Sequence, residues 1–302
     1  MKYLKLQGVD TSIRFVPEHI KYAMVQKYLS GLSAPKTAKL FGFSRQAVYD
    51  ALENYDFEPR PAAGSNRKYP LNENYFEEID TEEKAYWIGF ILADGYILYD
   101  ETKYTYILGI VLHQKDRIHL EKLNKELSSN RPIFDSIAYS KKRNKFYERS
   151  FIHVASKKLV SDLIKLGFTP RKSLTAKPIA VPLHLRRHYF RGLIDGDGCI
   201  SHSLDKRDNK IYWKVNLVGT KDILEDFSMF IASNLDCNVL EPRPRKKIFS
   251  ITYGGIDKPA DVSKLLYEGS SIHLDRKKEL ANELELFRNE ISLSKMISKE
   301  TE

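Results

Sequence analysis

The sequence predicts an α+β protein in which one helix-and-strand plan is written twice, behind a small all-helical module. Three observations carry this reading. First, AYWIGFILADGYI (85–97) and HYFRGLIDGDGCI (188–200) both run apolar into Asp-Gly, and Asp94 and Asp197 lie 103 positions apart. Second, the stretches downstream of these two runs repeat as well: YTYILGIVLHQKDRIHLEKLNKEL and IYWKVNLVGTKDILEDFSMFIASNL each pass from alternating apolar residues through Lys-Asp into a helix. Third, residues 16–56 show helical spacing broken by glycines. A unit of about 100 residues occurring twice marks a duplicated domain with pseudo-two-fold symmetry, not a solenoid.

Composition narrows the function. The chain has 302 residues, 42% of them hydrophobic and 29% charged, enough for about two soluble domains. No apolar run is long enough to cross a bilayer, and MKYLKLQGVDTSIRF shows no signal-peptide core followed by small residues, so no secretion signal is expected. Cys199 and Cys237 are the only cysteines, which excludes a disulfide framework and a cysteine-based zinc site and fits a reducing compartment. A net charge of +9 together with 18 tyrosines suits nucleic acid.

At the front, Ile20, Met24, Val25, Tyr28 and Leu29 fall at helical spacing, and Gly31 stops that helix. Ser33 caps a second short helix holding Ala38 and Leu40. Gly42 makes the turn, and Ser44 caps a third helix with Val48, Tyr49 and Leu52. The AKLFGFSRQAVY core resembles a helix-turn-helix. That resemblance implies that the third helix enters the major groove with Arg45, Gln46 and Tyr49 foremost. Arg suits guanine and Gln suits adenine, because each can make two bonds to one base. The expected domains are 1–58 for this module, 59–75 for a linker carrying Arg60, Arg67 and Lys68, 76–180 and 181–295 for the two copies, and 296–302 for a tail.

Each copy is expected to run helix, β-hairpin, helix, β-hairpin, helix. KIYWKVNLV and KFYERSFIHVA alternate as strands do, and SKKRN and DKRDN are polar turns. LVSDLIKLGFTPRKSL and DVSKLLYEGSSIHLDRKKEL both place an apolar helix before Arg-Lys.

The Asp-Gly ends are not calcium loops, because no ladder of oxygen ligands comes after Asp197. A helical reading fits better. Gly89 and Ala93, and Gly192 and Gly196, are each four apart, forming smooth stripes on which two helices can touch. Gly95 and Gly198 are expected as left-handed caps. Asp94 and Asp197 then end two touching helices, where the macrodipole and mutual repulsion both disfavour carboxylates. Cations relieve this, and magnesium with oxygen ligands is the natural one, with manganese able to substitute. Asp195 has no partner in the first copy, which has Leu92 there, and is read as structural.

WIGFILADG and FRGLIDGDG resemble the two motifs of the LAGLIDADG homing endonucleases, over roughly residues 76–290. The resemblance implies a pseudo-symmetric monomer whose motif helices form the interface between halves. It implies curved antiparallel β-saddles over the major groove of double-stranded DNA. Asp94 and Asp197 match the metal ligands, and hydrolysis of both strands would leave 3′ overhangs. Lys172 and Lys277 match the family's basic residues, 78 and 80 positions after their aspartates. His113 or Gln114 matches a polar position near the attacking water, with Gly219 and Thr220 as counterparts. The expected DNA contacts are Lys103, Lys141, Lys142, Arg143, Lys145 and Arg149 in the first copy. In the second they are Lys206, Arg207, Lys210, Lys214, Arg243, Arg245, Lys246 and Lys247. The alternatives are a non-cleaving DNA-binding regulator built from the same parts, and an intron RNA maturase.

Overall fold

The computed structural model describes residues 16–59, 67–141 and 144–300. The chain divides into two units, the second beginning at Tyr69.

The first unit holds α1 (Glu18–Leu29), α2 (Ala34–Phe41) and α3 (Arg45–Asn54). Ile20, Met24, Tyr28, Phe41, Val48 and Leu52 share one buried cluster, as their helical spacing requires. Gly31 and Gly42 both take positive φ, +106° and +76°, so the two turns use the conformation that glycine alone adopts freely. Ser44 accepts a hydrogen bond from the Ala47 nitrogen at 3.2 Å and caps α3. Ser33 stands at the N-cap of α2, but its side chain makes no capping bond. Leu29 is 48% exposed and lies off the core stripe on which the sequence placed it.

The second unit contains the two copies. The first runs α4 (Glu82–Asp94), β1 (Gly95–Asp100), β2 (Thr105–His113), α5 (Arg117–Glu126), β3 (Phe134–Ser140), β4 (Lys145–Ala155) and α6 (Lys157–Lys165). The second runs α7 (Arg186–Asp197), β5 (Gly198–Asp205), β6 (Lys210–Gly219), α8 (Lys221–Leu235), β7 (Arg243–Arg245), β8 (Ile248–Gly255) and α9 (Asp257–Tyr267). A long helix, α10 (Asp275–Glu300), comes next and continues through the start of the expected tail. Residues 69–75 run along this unit: the Asn72 nitrogen donates to the Leu127 carbonyl at 2.8 Å, and Tyr75 is buried.

Each copy builds one antiparallel four-stranded sheet, ordered β1-β2-β4-β3 and β5-β6-β8-β7. The registers match: Gly95 pairs with Ile110 in the first sheet, and Gly198 with Leu217 in the second. One face of each sheet packs on helices. Leu108, Ile110, Ile152 and Val154 turn inward in the first, and Trp213, Val215, Leu217 and Ile251 in the second. Strand alternation sends the intervening residues to the opposite face.

The motif helices are the spine of this unit. A Cβ on Gly192 would overlap the carbonyl oxygen of Tyr86 and lie 2.7 Å from the nitrogen of Phe90. One on Gly89 would overlap the Tyr189 carbonyl, and one on Gly196 would overlap the Ala93 Cβ. Only hydrogen fits at these crossings, so the helices meet backbone to backbone. Gly95 and Gly198 are not left-handed caps. Their φ angles are −80° and −90° in extended conformation, as each helix passes straight into a strand. Glycine is required there for space: a Cβ would sit 2.8 Å from the Ile91 carbonyl oxygen or 2.6 Å from that of Ile194.

Candidate metal and nucleic-acid site

Most of α4 and α7 is buried, yet each ends in an exposed carboxylate, Asp94 and Asp197. Both acids keep their protons more readily than usual. Asp94 is pushed up to about 6 because packed protein surrounds it on the closed side and because Asp197 repels its charge. Its open side still meets solvent. Asp197 is also raised by burial, against the opposing pull of Lys172 and Lys277.

Two buried lysines reach these helix ends. The ammonium of Lys172, from the loop after α6, donates to the Ala93 carbonyl at 3.2 Å. Lys277, in the first turn of α10, donates to the carbonyls of Ile194, Asp195 and Gly198 at 2.6, 2.7 and 2.8 Å. Burial pushes Lys277 down to about 8, and three acceptors need all three hydrogens of the ammonium. It therefore stands charged at neutral pH over the negative end of α7, where its three bonds add to the backbone bond that the Ile194 carbonyl accepts from the Gly198 nitrogen. The sequence placed Lys172 and Lys277 as equivalents. The structure brings both to the site but uses them differently: Lys277 has every N–H engaged, while the bond to Ala93 engages one of Lys172's three. Lys172 is nonetheless displaced downward by burial, opposed by Asp197 and Asp94.

Asp195, read from sequence as structural, is fully buried and accepts three hydrogen bonds. Tyr86 of α4 and the Leu274 nitrogen donate to its Oδ2 at 2.8 and 2.7 Å, and Tyr267 donates to Oδ1 at 2.5 Å. The Tyr86 bond crosses between the copies. With its proton directed at Asp195, Tyr86 accepts from His119 Nε2 at 2.9 Å. Burial pushes His119 down to about 3, so it is neutral and carries its hydrogen on Nε2.

Sequence reasoning missed a second cross-link. Arg191 is fully buried; it pairs with Glu82 Oε1 at 2.7 Å and donates to the carbonyls of Ile272 and Leu266. Nothing in the linear pattern distinguishes it from a solvated arginine.

The exposed hairpins carry the expected cations. Lys103 sits in the β1–β2 turn, with its ammonium 3.4 Å from Asp100. Lys141 lies in the β3–β4 turn and Lys145 opens β4; Lys142 and Arg143 lie outside the described residues. Arg149 donates to Ser136 at 2.9 Å across the first sheet's outer face. Lys206 and Arg207 fill the β5–β6 turn, where Arg207 pairs with Asp205 at 2.5 Å. Lys210 and Lys214 lie on β6, Arg243 and Arg245 on β7, and Lys246 and Lys247 in the turn after it, all exposed. His113 ends β2 and Gln114 opens the short 3-10 turn after it, both exposed, and the His113 Nδ1 accepts from the Lys115 nitrogen. At the matching end of β6, Thr220 donates to the Ala176 carbonyl at 2.7 Å. In the first unit Arg45 and Gln46 are exposed and Gln46 donates to Asp50 at 2.8 Å, whereas Tyr49 packs partly on the helical core.

Among the described residues no three His, Cys, Asp or Glu side chains gather as a metal-binding group. The donor set is two carboxylates. That suits magnesium, which takes one or two carboxylates and completes its shell with water and phosphate oxygens.

Two helix-strand-strand-helix-strand-strand-helix halves, joined along glycine-faced motif helices that each end in an exposed aspartate, define a LAGLIDADG fold. No protein-family model and no curated protein matches the chain. Among solved structures, the LAGLIDADG homing endonuclease I-GzeII in complex with its DNA target is similar at 13% identity and TM-score 0.48, covering 70% of this chain and 91% of that one. I-LtrWI, a LAGLIDADG homing endonuclease bound to target DNA, is similar at 15% identity and TM-score 0.45, over 75% and 97%. Full-length WhiA from Thermatoga maritima is similar at 16% identity and TM-score 0.39, over 76% and 75%. The chemistry open to the site is set by its own residues.

Proposed function

We propose that the protein is a divalent-metal-dependent endonuclease that cuts duplex DNA at a specific site. The observation that carries this is the pair of exposed carboxylates, Asp94 and Asp197, at the abutting ends of two otherwise buried helices. A fold optimised only for stability has no use for two repelling acids at negative helix ends.

Asp94 and Asp197 would hold the metal. Bound there, a divalent ion supplies charge stabilisation to a phosphodiester and a more acidic water. Lys277 keeps the end of α7 in place and fixes where Asp197 points. Lys172, with N–H groups to offer, stabilises charge developing on phosphate. The outer faces and basic turns of the two sheets bind the duplex, chiefly through phosphates in the turns. The helix-turn-helix, joined covalently, adds a second DNA-binding element and raises the effective affinity.

The test is cleavage of a plasmid library carrying randomised sites, with magnesium or with chelator. Linear products confined to the magnesium arm and to a narrow set of sites support the proposal. Selective, tight binding with every site left intact would instead identify a DNA-binding regulator, and preference for intron RNA over duplex DNA would identify a maturase.

A further inference from the structure

The two sheets share one register but present different chemistry on their outer faces. In the first sheet an aromatic chain crosses the strands. Phe134 of β3 stacks on Phe151 of β4 with ring centroids 5.7 Å apart, and Phe151 meets His153 at 5.2 Å. His153 Nε2 lies 2.6 Å from the hydroxyl of Tyr96 on β1. Tyr96 reaches across β2 because Gly109 lies beneath it: a Cβ there would be 2.6 Å from the Tyr96 oxygen and 2.7 Å from its ring. The Tyr96 hydroxyl and His153 Nε2 are engaged with each other, and burial lowers the His153 pKa, which disfavours a charged ring. Around these rings the outward surface is mostly carbon, extended by Ile107 and by Leu98, which is 47% exposed, and the Arg149–Ser136 pair borders it.

Counting from the paired registers of Gly95 and Gly198, the second sheet replaces this aromatic chain with smaller or polar residues, while Val218 matches Val111 and Ile248 matches Arg149. Phe151 and His153 correspond to Ser250 and Thr252, and Gly109 corresponds to Asn216. Phe134 corresponds to Arg243, Ile107 to Lys214, and Tyr96 to Cys199. Asn216 donates to Thr252 at 2.8 Å, which leaves its own carbonyl oxygen and the threonine hydroxyl hydrogen to address a partner.

We infer that the outer face of the first sheet reads its half of the DNA site by apolar contact with thymine methyl groups, whereas the second sheet reads its half by hydrogen bonds. This rests on the proposal that both outer faces lie against duplex DNA. The surroundings select the occupant: the face is continuous with the helix end that presents Asp94, and cationic turns at Lys103, Lys141 and Lys145 flank it. A hydrophobic protein partner has no need of that cationic border; a duplex needs it for phosphates. In the major groove only thymine offers a methyl group to carbon-rich side chains.

The full chain is used to select sites from random duplexes in calcium, without cleavage. One half of the selected sites should be rich in A·T pairs. Replacing thymidine by deoxyuridine in that half should weaken binding about three- to fourfold per contacted methyl, the equivalent of roughly 0.8 kcal/mol. The same replacement in the other half should change nothing. Phe151→Ser/His153→Thr, which installs the second sheet's residues, should erase the methyl effect in that half alone; Phe134→Arg, on an exposed edge strand, gives the same readout if the double variant does not fold. Binding indifferent to deoxyuridine, equal losses in both halves, or tighter binding to single-stranded nucleic acid would overturn the inference. Methyl-sensitive binding without cleavage would remove the nuclease reading and leave this one standing; cleavage with methyl-indifferent binding would do the reverse.

Discussion

Gly192 of one motif helix touches the backbone of Tyr86 on the other so closely that a single added carbon would overlap its carbonyl oxygen. This contact, with its counterpart at Gly89 and Tyr189, sets how far apart the two copies stand and therefore where Asp94 and Asp197 meet.

Gly192→Ala and Gly89→Ala should each destabilise the second unit by about 3 kcal/mol or more, because backbone cannot move aside as a side-chain tip can. Gly254→Ala, where a Cβ meets nothing within 4 Å, should stay within about 0.5 kcal/mol. Urea unfolding compares the three. Equal stability of all of them would show that the helices do not pack backbone to backbone.

The raised Asp94 pKa has a defined pH signature. Between its ordinary value of 3.8 and about 6, the folded chain holds a proton that the unfolded chain has released, so this group's contribution to stability falls as pH rises through that window. Above pH 6 the penalty is fully present. Asp94→Asn should then be more stable than wild type, by about 1 kcal/mol after allowing for solvent screening of an exposed carboxylate. Magnesium should raise the wild-type Tm at pH 8, raise it little below pH 6 where protons compete, and leave Asp94→Asn/Asp197→Asn unmoved. A magnesium shift retained in the double variant would place the ion elsewhere.

Lys172 and Lys277 should separate on substitution. Lys277→Met removes three charge-assisted hydrogen bonds at the end of α7 and should lower stability by about 2–3 kcal/mol. Lys172→Met removes one carbonyl contact, about 1 kcal/mol, and should chiefly reduce the cleavage rate while DNA affinity holds. Thermal melts together with single-turnover kinetics make the comparison. The reverse order of stability effects would undo the division of roles.

Arg45 and Gln46 are exposed at the start of α3, so Arg45→Ala and Gln46→Ala should leave the melting of the first unit unchanged. Each should weaken binding to the selected duplex about tenfold, in line with roughly 1–3 kcal/mol per base contact. Fluorescence anisotropy reads this; unaltered affinity in both would assign the module a role other than base reading.

The duplicated plan was legible because helix and strand periods survive in the linear pattern, and the Asp-Gly ends were legible because small residues recur four apart. Lys172 and Lys277 could be found from parallel spacing, but not their difference, since which carbonyls an ammonium meets depends on how α10 crosses α7. The conformation of Gly95 and Gly198 was misread because Gly after a helix usually signals a left-handed cap; here a strand continues directly, and crowding by Ile91 and Ile194 is the constraint. Arg191 and Glu82 left no trace, because burial of a charged pair is a property of two segments meeting. The contrast between sheet faces was present in the residues but needed strand register to become visible.

The proposed joint role of Asp94 and Asp197, as the metal-holding pair of a nuclease, is tested most directly by single-turnover cleavage of a selected, end-labelled duplex in magnesium. Wild type is compared with Asp94→Asn/Asp197→Asn, and binding of both is measured in calcium. The expected result is cuts in both strands by the wild type, none above background by the double variant, and specific binding by each. Cleavage undiminished in the double variant would contradict that role.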